Sequence, residues 1–186
     1  VGSEMCIRDR ANIGLEVLLL DIVAEKDQAN SNIEIRNSWV NSSLKNAVKS
    51  KPSPIFNKSV LNNISTGNFT DDFEKVKNYD WIIEVVVEQL KIKNIIFEKV
   101  DRYRRKDSIV SSNTSGIPIN SMIKGRSENF KSHFLGTHFF NPARYLNLLE
   151  IIPTTFTNPK IIDFMIEFGE KILGKTCSKF LLVFSQ

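Results

Sequence analysis

The sequence predicts an α/β fold, a doubly wound and mostly parallel sheet. Three observations point to it. Short apolar runs are bounded by polar turns, amphipathic stretches with three-to-four spacing lie between them, and polar residues able to carry chemistry fall at the ends of the apolar runs. Strands alternating with helices form a sheet covered on both faces, and such strands read as continuous apolar segments.

The elements follow in order. EVLLLDI (16–22) is an apolar run reaching Asp21, the profile of a strand buried on both faces. Residues 30–51 read as helix, since Ile33, Trp39, Val40, Leu44, Ala47 and Val48 recur at helical spacing, and Pro52-Ser53-Pro54 stops it. A second short helix is expected from Phe56 to Ile64, before Thr66-Gly67-Asn68 turns the chain. DWIIEVVVE (80–88) reads as a buried strand. It runs into an amphipathic helix carrying Leu90, Ile92, Ile95, Ile96, Phe97 and Val100. SIVSSNTSG (108–116) is a strand followed by a polar turn, INSMIKG one or two helical turns, and FLGTHFF and LNLLEIIP two further strands. PKIIDFMIEFGEKILG (159–174) is a helix with proline at its start and Gly174 past its end.

Composition narrows the classes. The 186 residues suffice for one well-cored domain, and there is no repeat, low-complexity tract or interdomain linker. No apolar run approaches the roughly 20 residues of a membrane helix. Cys6 and Cys177 offer neither metal spacing nor a disulfide framework, which suits a reducing compartment and a cytoplasmic location. The net charge of +4 is spread out, without aromatic-interleaved basic motifs. It favours a small anionic ligand or nothing in particular, and it does not support nucleic acid. The first ten residues, VGSEMCIRDR, lack the apolar core of a signal peptide. They are expected to be a non-native leader (1–10) preceding the domain proper (11–186).

Three features carry chemistry, each with a plainer reading beside it. Asp21 closes the first strand, either as a turn aspartate or as an acceptor for ribose hydroxyls. SSNTSG presents Asn113, Thr114 and Ser115 in succession, either to cap a turn or to face a cofactor and a substrate oxygen. In GTHFFNPARYLNLLEII, His138 lies between apolar runs and Glu150 interrupts another, where a charge is costly to bury without a partner. Adjacent strands would bring these two together. A buried carboxylate on an imidazole fixes its tautomer and makes it a better base. Each side chain finding only local hydrogen bonds is the alternative. His133 reads as a surface or structural residue.

Taken together, DWIIEVVVEQLKIKNIIFEKV, SNTSGIPI and GTHFFNPARYLNLLEIIP resemble the NAD-binding domain of the L-3-hydroxyacyl-CoA dehydrogenases of β-oxidation, from about Ala11 to Lys175. The variants look most like the dehydrogenase part of large bacterial proteins that also carry an enoyl-CoA hydratase part. The resemblance implies a Rossmann-like fold, NAD as cofactor and oxidation of an L-3-hydroxyacyl-CoA to the 3-ketoacyl-CoA. It implies catalytic roles for His138 as base, Glu150 as its orienting partner and Ser115 at the reacting oxygen. Asp21, Glu88, Lys93, Asn113, Ser115 and Asn141 would meet the cofactor. Ser43 and Lys49 would meet CoA, and no metal is implied.

The family's first strand and glycine-rich loop should precede Ala11, where only Ala11-Asn12-Ile13-Gly14 suggests the tail of the helix after such a loop. Its helical C-terminal domain should follow Lys175, where TCSKFLLVFSQ keeps a strand-like run but not the family's residues. The chain therefore reads as a truncated fragment, expected to be inactive alone. The parent would be homo-oligomeric or fused to a hydratase. The competing reading is a nucleotide- or CoA-binding module of the same fold without turnover.

Overall fold

The computed structural model describes residues 10–50, 57–140 and 146–179, in two compact units divided after Lys75. Asn141, Lys51, Cys6 and the Pro52-Ser53-Pro54 stop lie outside the described residues.

In the first unit, Arg10 and Ala11 are helical and Gly14 ends that turn at φ +88°. The Leu15 amide donates to the Arg10 carbonyl and the Gly14 amide to that of Ala11, a Schellman closure that glycine accommodates without strain. The expected helix tail before the first strand is thus present. Strand β1 (Val17–Asp21) pairs in parallel with β2 (Ile64–Asn68), register Val17↔Ile64 to Asp21↔Asn68. Helices α1 (Ile33–Arg36) and α2 (Ser38–Lys49) connect them. The single helix expected over 30–51 is therefore broken at Asn37, where α1 ends. Val40 and Ala47 form the buried stripe of α2. The residues of β1 are half-buried, not enclosed, with β2 their one strand neighbour among the described residues.

The short helix expected from Phe56 to Ile64 is present as a 3-10 helix over Lys58–Asn63, Phe56 lying outside the described residues, but the turn expected at Thr66-Gly67-Asn68 is strand. Thr66-Gly67-Asn68 pairs with the apolar β1, and the turn comes one step later. Asn68 is fully buried. Its Oδ1 accepts the amides of Thr70 and Asp71, and its Nδ2 donates to Asn37 and Asp71, so the asparagine shapes a turn that follows it. Arg36 binds Asp71 through Nε and Nη2 at 2.6 and 2.9 Å.

The second unit is a five-stranded sheet in the order β3 (Trp81–Glu84), β4 (Ile109–Ser112), β5 (Phe134–Phe139), β6 (Leu148–Pro153), β7 (Thr176–Lys179). All neighbours are parallel except β5 and β6, which are antiparallel. The connection 140–147 is shorter than the dozen or so residues a parallel crossover needs. Helix α3 (Leu90–Tyr103) joins β3 to β4. Helices α4 (Ile119–Met122) and α5 (Glu128–Ser132) precede β5, and α6 (Pro159–Lys171) links β6 to β7, with Gly174 beyond it at φ +63°. The Rossmann-like α/β class holds.

The core gathers Phe97, Phe130 and Phe134, with ring centroids 5.1–5.9 Å apart, together with Leu135, Leu149, Ile151 and Met165, all fully buried. Two expectations need correction. The strand expected over 80–88 stops at Glu84, whose own carboxylate accepts the Val86 amide and draws residues 85–88 out of the sheet. The buried face of α3 carries Lys93, Phe97 and Val100, whereas Ile95 is half exposed. A lysine on that face needs partners.

Candidate active site

The site builds up from the β5–β6 pair. The register sets His138 opposite Glu150, and residues opposed across an antiparallel pair project from the same face with Cβ atoms about 5 Å apart. His138 Nδ1 lies 2.7 Å from Glu150 Oε2, and the two side chains are only 18% and 20% exposed. A carboxylate can only accept, so Nδ1 carries the proton and Nε2 presents its lone pair. The Ser115 hydroxyl is 3.2 Å from that Nε2. The plainer reading of local hydrogen bonds does not describe this: three side chains from two strands and a turn form one chain, Ser115–His138–Glu150. Phe140 leans on the imidazole with ring centroids 4.5 Å apart.

The turn that presents Ser115 is held by Glu88. Its Oε1 accepts the Thr114 hydroxyl and the backbone amides of Ser115 and Gly116, at 3.1 and 3.2 Å for the amides. Lys93 Nζ approaches its Oε2 at 3.1 Å. Burial pushes the Glu88 carboxyl up, but hydrogen bonds from Thr114, Lys93 and Gly116 and the charge of Lys93 outweigh it and bring the pKa to about 2. The carboxylate stays ionised and its grip on the turn stays intact.

Asn113 sits where β4 leaves the sheet. Its amide N–H donates to the Glu84 carbonyl at 2.9 Å and its Oδ1 accepts the Phe139 amide at 3.0 Å, so its side-chain NH2 is the donating end. Lys93 does not open onto the site directly. It is 1% exposed, and its ammonium is engaged by Glu84 and Glu88. Asp21 closes β1 in the first unit, with one carboxylate oxygen accepting the Ile22 amide at 2.8 Å. Ser43 is half-buried and Lys49 exposed, both on α2 of that unit. His133 ends α5, its Nδ1 within 2.9 Å of the Asn129 carbonyl, a structural residue as expected.

Glu84 has no role in the sequence reading. Glu84 interrupts the apolar run WIIEVVV as Glu150 interrupts LNLLEII, so the same signal was there. Thr114, expected within SSNTSG either to cap the turn or to face a ligand, caps it: its hydroxyl donates to Glu88 and accepts the Ile117 amide.

The 113–116 turn is open outward, with Ser115 and Gly116 exposed and no atom beyond its chain neighbours within 4 Å of where a Gly116 Cβ would stand.

Residues 4–179 match the model of the "3-hydroxyacyl-CoA dehydrogenase, NAD binding domain". The chain is 52% identical over 173 residues to a "Probable 3-hydroxyacyl-CoA dehydrogenase" of Bacillus subtilis, covering 89% of this chain and 22% of that protein. It is 38% identical over 169 residues to a "Putative fatty acid oxidation complex trifunctional enzyme" of Rickettsia felis, covering 91% of this chain and 23% of that protein. Among solved structures it resembles M. tuberculosis FadB2, with a TM-score of 0.74 at 26% identity, over 97% of this chain and 60% of that one. The chain spans about a quarter of the length of the two curated relatives. No helix among the described residues is long and apolar enough to cross a membrane.

Proposed function

We propose a function from one premise: the chain belongs to the 3-hydroxyacyl-CoA dehydrogenase family, as its NAD-binding domain. The reaction is oxidation of an L-3-hydroxyacyl-CoA to the 3-ketoacyl-CoA. The observation that carries it is the hydrogen-bonded chain Ser115–His138–Glu150.

NAD, when bound, supplies the hydride acceptor. His138 Nε2 takes the proton from the substrate's C3 hydroxyl, which general-base catalysis makes worth about 10²–10⁴-fold in rate. Glu150 holds the ring through Nδ1–H and stabilises the imidazolium that forms. The Ser115 hydroxyl, which reaches Nε2 when no substrate intervenes, donates to the C3 oxygen as charge develops there. Glu88, Asn113 and Asn141 serve the cofactor, with Lys93 acting through Glu88. Asp21 accepts from the adenosine ribose, where a carboxylate favours NAD over a phosphorylated ribose. Ser43 and the exposed ammonium of Lys49 serve the CoA.

The trifunctional relative supports fusion of the parent to further parts, for which the sequence resemblance suggests an enoyl-CoA hydratase, and the cysteine usage supports a cytoplasmic enzyme. The test is NADH formation from a 3-hydroxyacyl-CoA by the protein at its natural length. NAD binding without turnover would instead favour the binding module of the same fold.

A further inference from the structure

Glu84 lies apart from the reacting groups, yet both oxygens of its carboxylate are saturated. Oε1 accepts the Val86 amide at 2.6 Å and Lys93 Nζ at 2.9 Å; Oε2 accepts the Ser112 hydroxyl at 2.5 Å and Lys93 Nζ at 3.0 Å. The Glu84 and Lys93 side chains are each 1% exposed. A buried ion pair is a poor source of stability, because desolvation of both charges offsets most of their attraction. What this pair holds is more informative than its strength.

Glu84 ties together three pieces that lead to Ser115. The Val86 amide begins the segment carrying Glu88. Ser112 immediately precedes the 113–116 turn. Lys93 reaches on to Glu88 Oε2 at 3.1 Å, and Glu88 Oε1 accepts from Thr114, Ser115 and Gly116. We infer that Glu84 is a positioning residue for the Ser115 hydroxyl: through Lys93 it fixes Glu88, Glu88 fixes the Thr114–Gly116 turn, and the turn aims Ser115 at His138. The inference rests on the proposed reading of Ser115 and His138 as reacting groups.

Two variants test it in the protein at its natural length. Glu84→Gln keeps the shape and removes the charge, while Ser112→Ala deletes one hydrogen bond to Oε2 and serves if the first fails to fold. The first readout needs no turnover: the ¹⁵N resonance of His138 Nε2 reports the Ser115 hydroxyl, and Ser115→Ala sets the direction of its shift. Glu84→Gln and Ser112→Ala are expected to shift it the same way. A folded Glu84→Gln that leaves it unmoved overturns the inference.

The second readout is kinetic. Glu84→Gln should lower kcat by about 10- to 100-fold, the scale of a small misplacement of a reacting group, with KM for the acyl-CoA little changed. In a Ser115→Ala background it should have almost no further effect. Equal losses in both backgrounds would mean a general structural role and overturn the inference. If the resonance shifts as expected but no variant or parent protein oxidises a 3-hydroxyacyl-CoA, the positioning role stands and the proposed reaction falls.

Discussion

His138 and Glu150 oppose each other in register across the antiparallel β5–β6 pair, with Nδ1 2.7 Å from the carboxylate. Two rigid strands, not a loop, set this distance. Because the register fixes it, a change to either side chain acts on chemistry more than on fold. Replacing His138 with Gln removes the proton acceptor, an interaction made in the transition state. We expect kcat to fall by about 10²-fold or more with KM changed only slightly. Steady-state rates with a 3-hydroxyacyl-CoA and NAD decide it; near-normal turnover would remove His138 from the mechanism.

Glu150→Gln keeps the size of the side chain but can donate as well as accept. The imidazole then loses both its enforced Nδ1–H tautomer and the negative charge beside the imidazolium. Folding should survive, since the pair is partly exposed, while kcat drops by about 10²–10⁴-fold. Unchanged circular dichroism with lost turnover is the expected pattern. Loss of folded structure would make the residue architectural instead.

Glu88 predicts an acid-sensitive contribution to stability. Its carboxyl titrates near 4.5 in the unfolded chain and at about 2 in the folded one, so between those values the unfolded state binds more protons. The contribution is full above pH 4.5 or so and is lost as pH falls toward 2. Chemical denaturation as a function of pH should show Glu88→Gln flattening that part of the slope. An unaltered slope would mean that the hydrogen bonds to the 114–116 turn do not hold the ionised form.

Lys93→Met tests the buried charges directly. The substitution leaves Glu84 without its cation at 1% exposure, a loss that typically destabilises by about 3–5 kcal/mol. Adding Glu84→Gln should restore part of it, because the uncompensated charge is gone. Urea denaturation of single and double variants measures the coupling. Additive losses would show that the two charges do not interact.

The strands, the helices flanking them and the catalytic pair were legible because their signals are local. Glu150 stood out as a charge within LNLLEIIP, and His138 beside a proline turn. Glu84 carries the same signal inside WIIEVVVE, which reads as one long strand; the strand stops where the Glu84 carboxylate, held in place by Lys93 and Ser112 from other elements, accepts the Val86 amide two residues on. Likewise the apolar positions read on α3 include Phe97 and Val100, which are buried, but also Ile95, which is half exposed, and they leave out Lys93. A lysine is acceptable there because Glu84 at the end of β3 and Glu88 beyond it supply carboxylates, which no helical period records. Antiparallel pairing of β5 and β6 follows from a connection too short to cross over, and that length was readable.

Strand β2 gives the last prediction, because its composition points the wrong way. Thr66-Gly67-Asn68 has turn residues yet pairs along β1, and Gly67 is there for space. A Cβ at Gly67 would come within 2.6–2.8 Å of the Asp72 side chain, including Oδ2. That same Oδ2 accepts the Asn68 amide at 2.9 Å, so Asp72 cannot withdraw without giving up a buried bond. Gly67→Ala should therefore destabilise the first unit by about 1–3 kcal/mol through crowding, although alanine suits a strand better than glycine does. Asp72→Ala in the same background should recover part of the loss by opening the space, at the expense of the Asn68 contact. Thermal melts of the two single variants and the double give the comparison. If Gly67→Ala is neutral or stabilising, the close approach of Asp72 is not what selects glycine, and the turn-like composition of β2 needs another explanation.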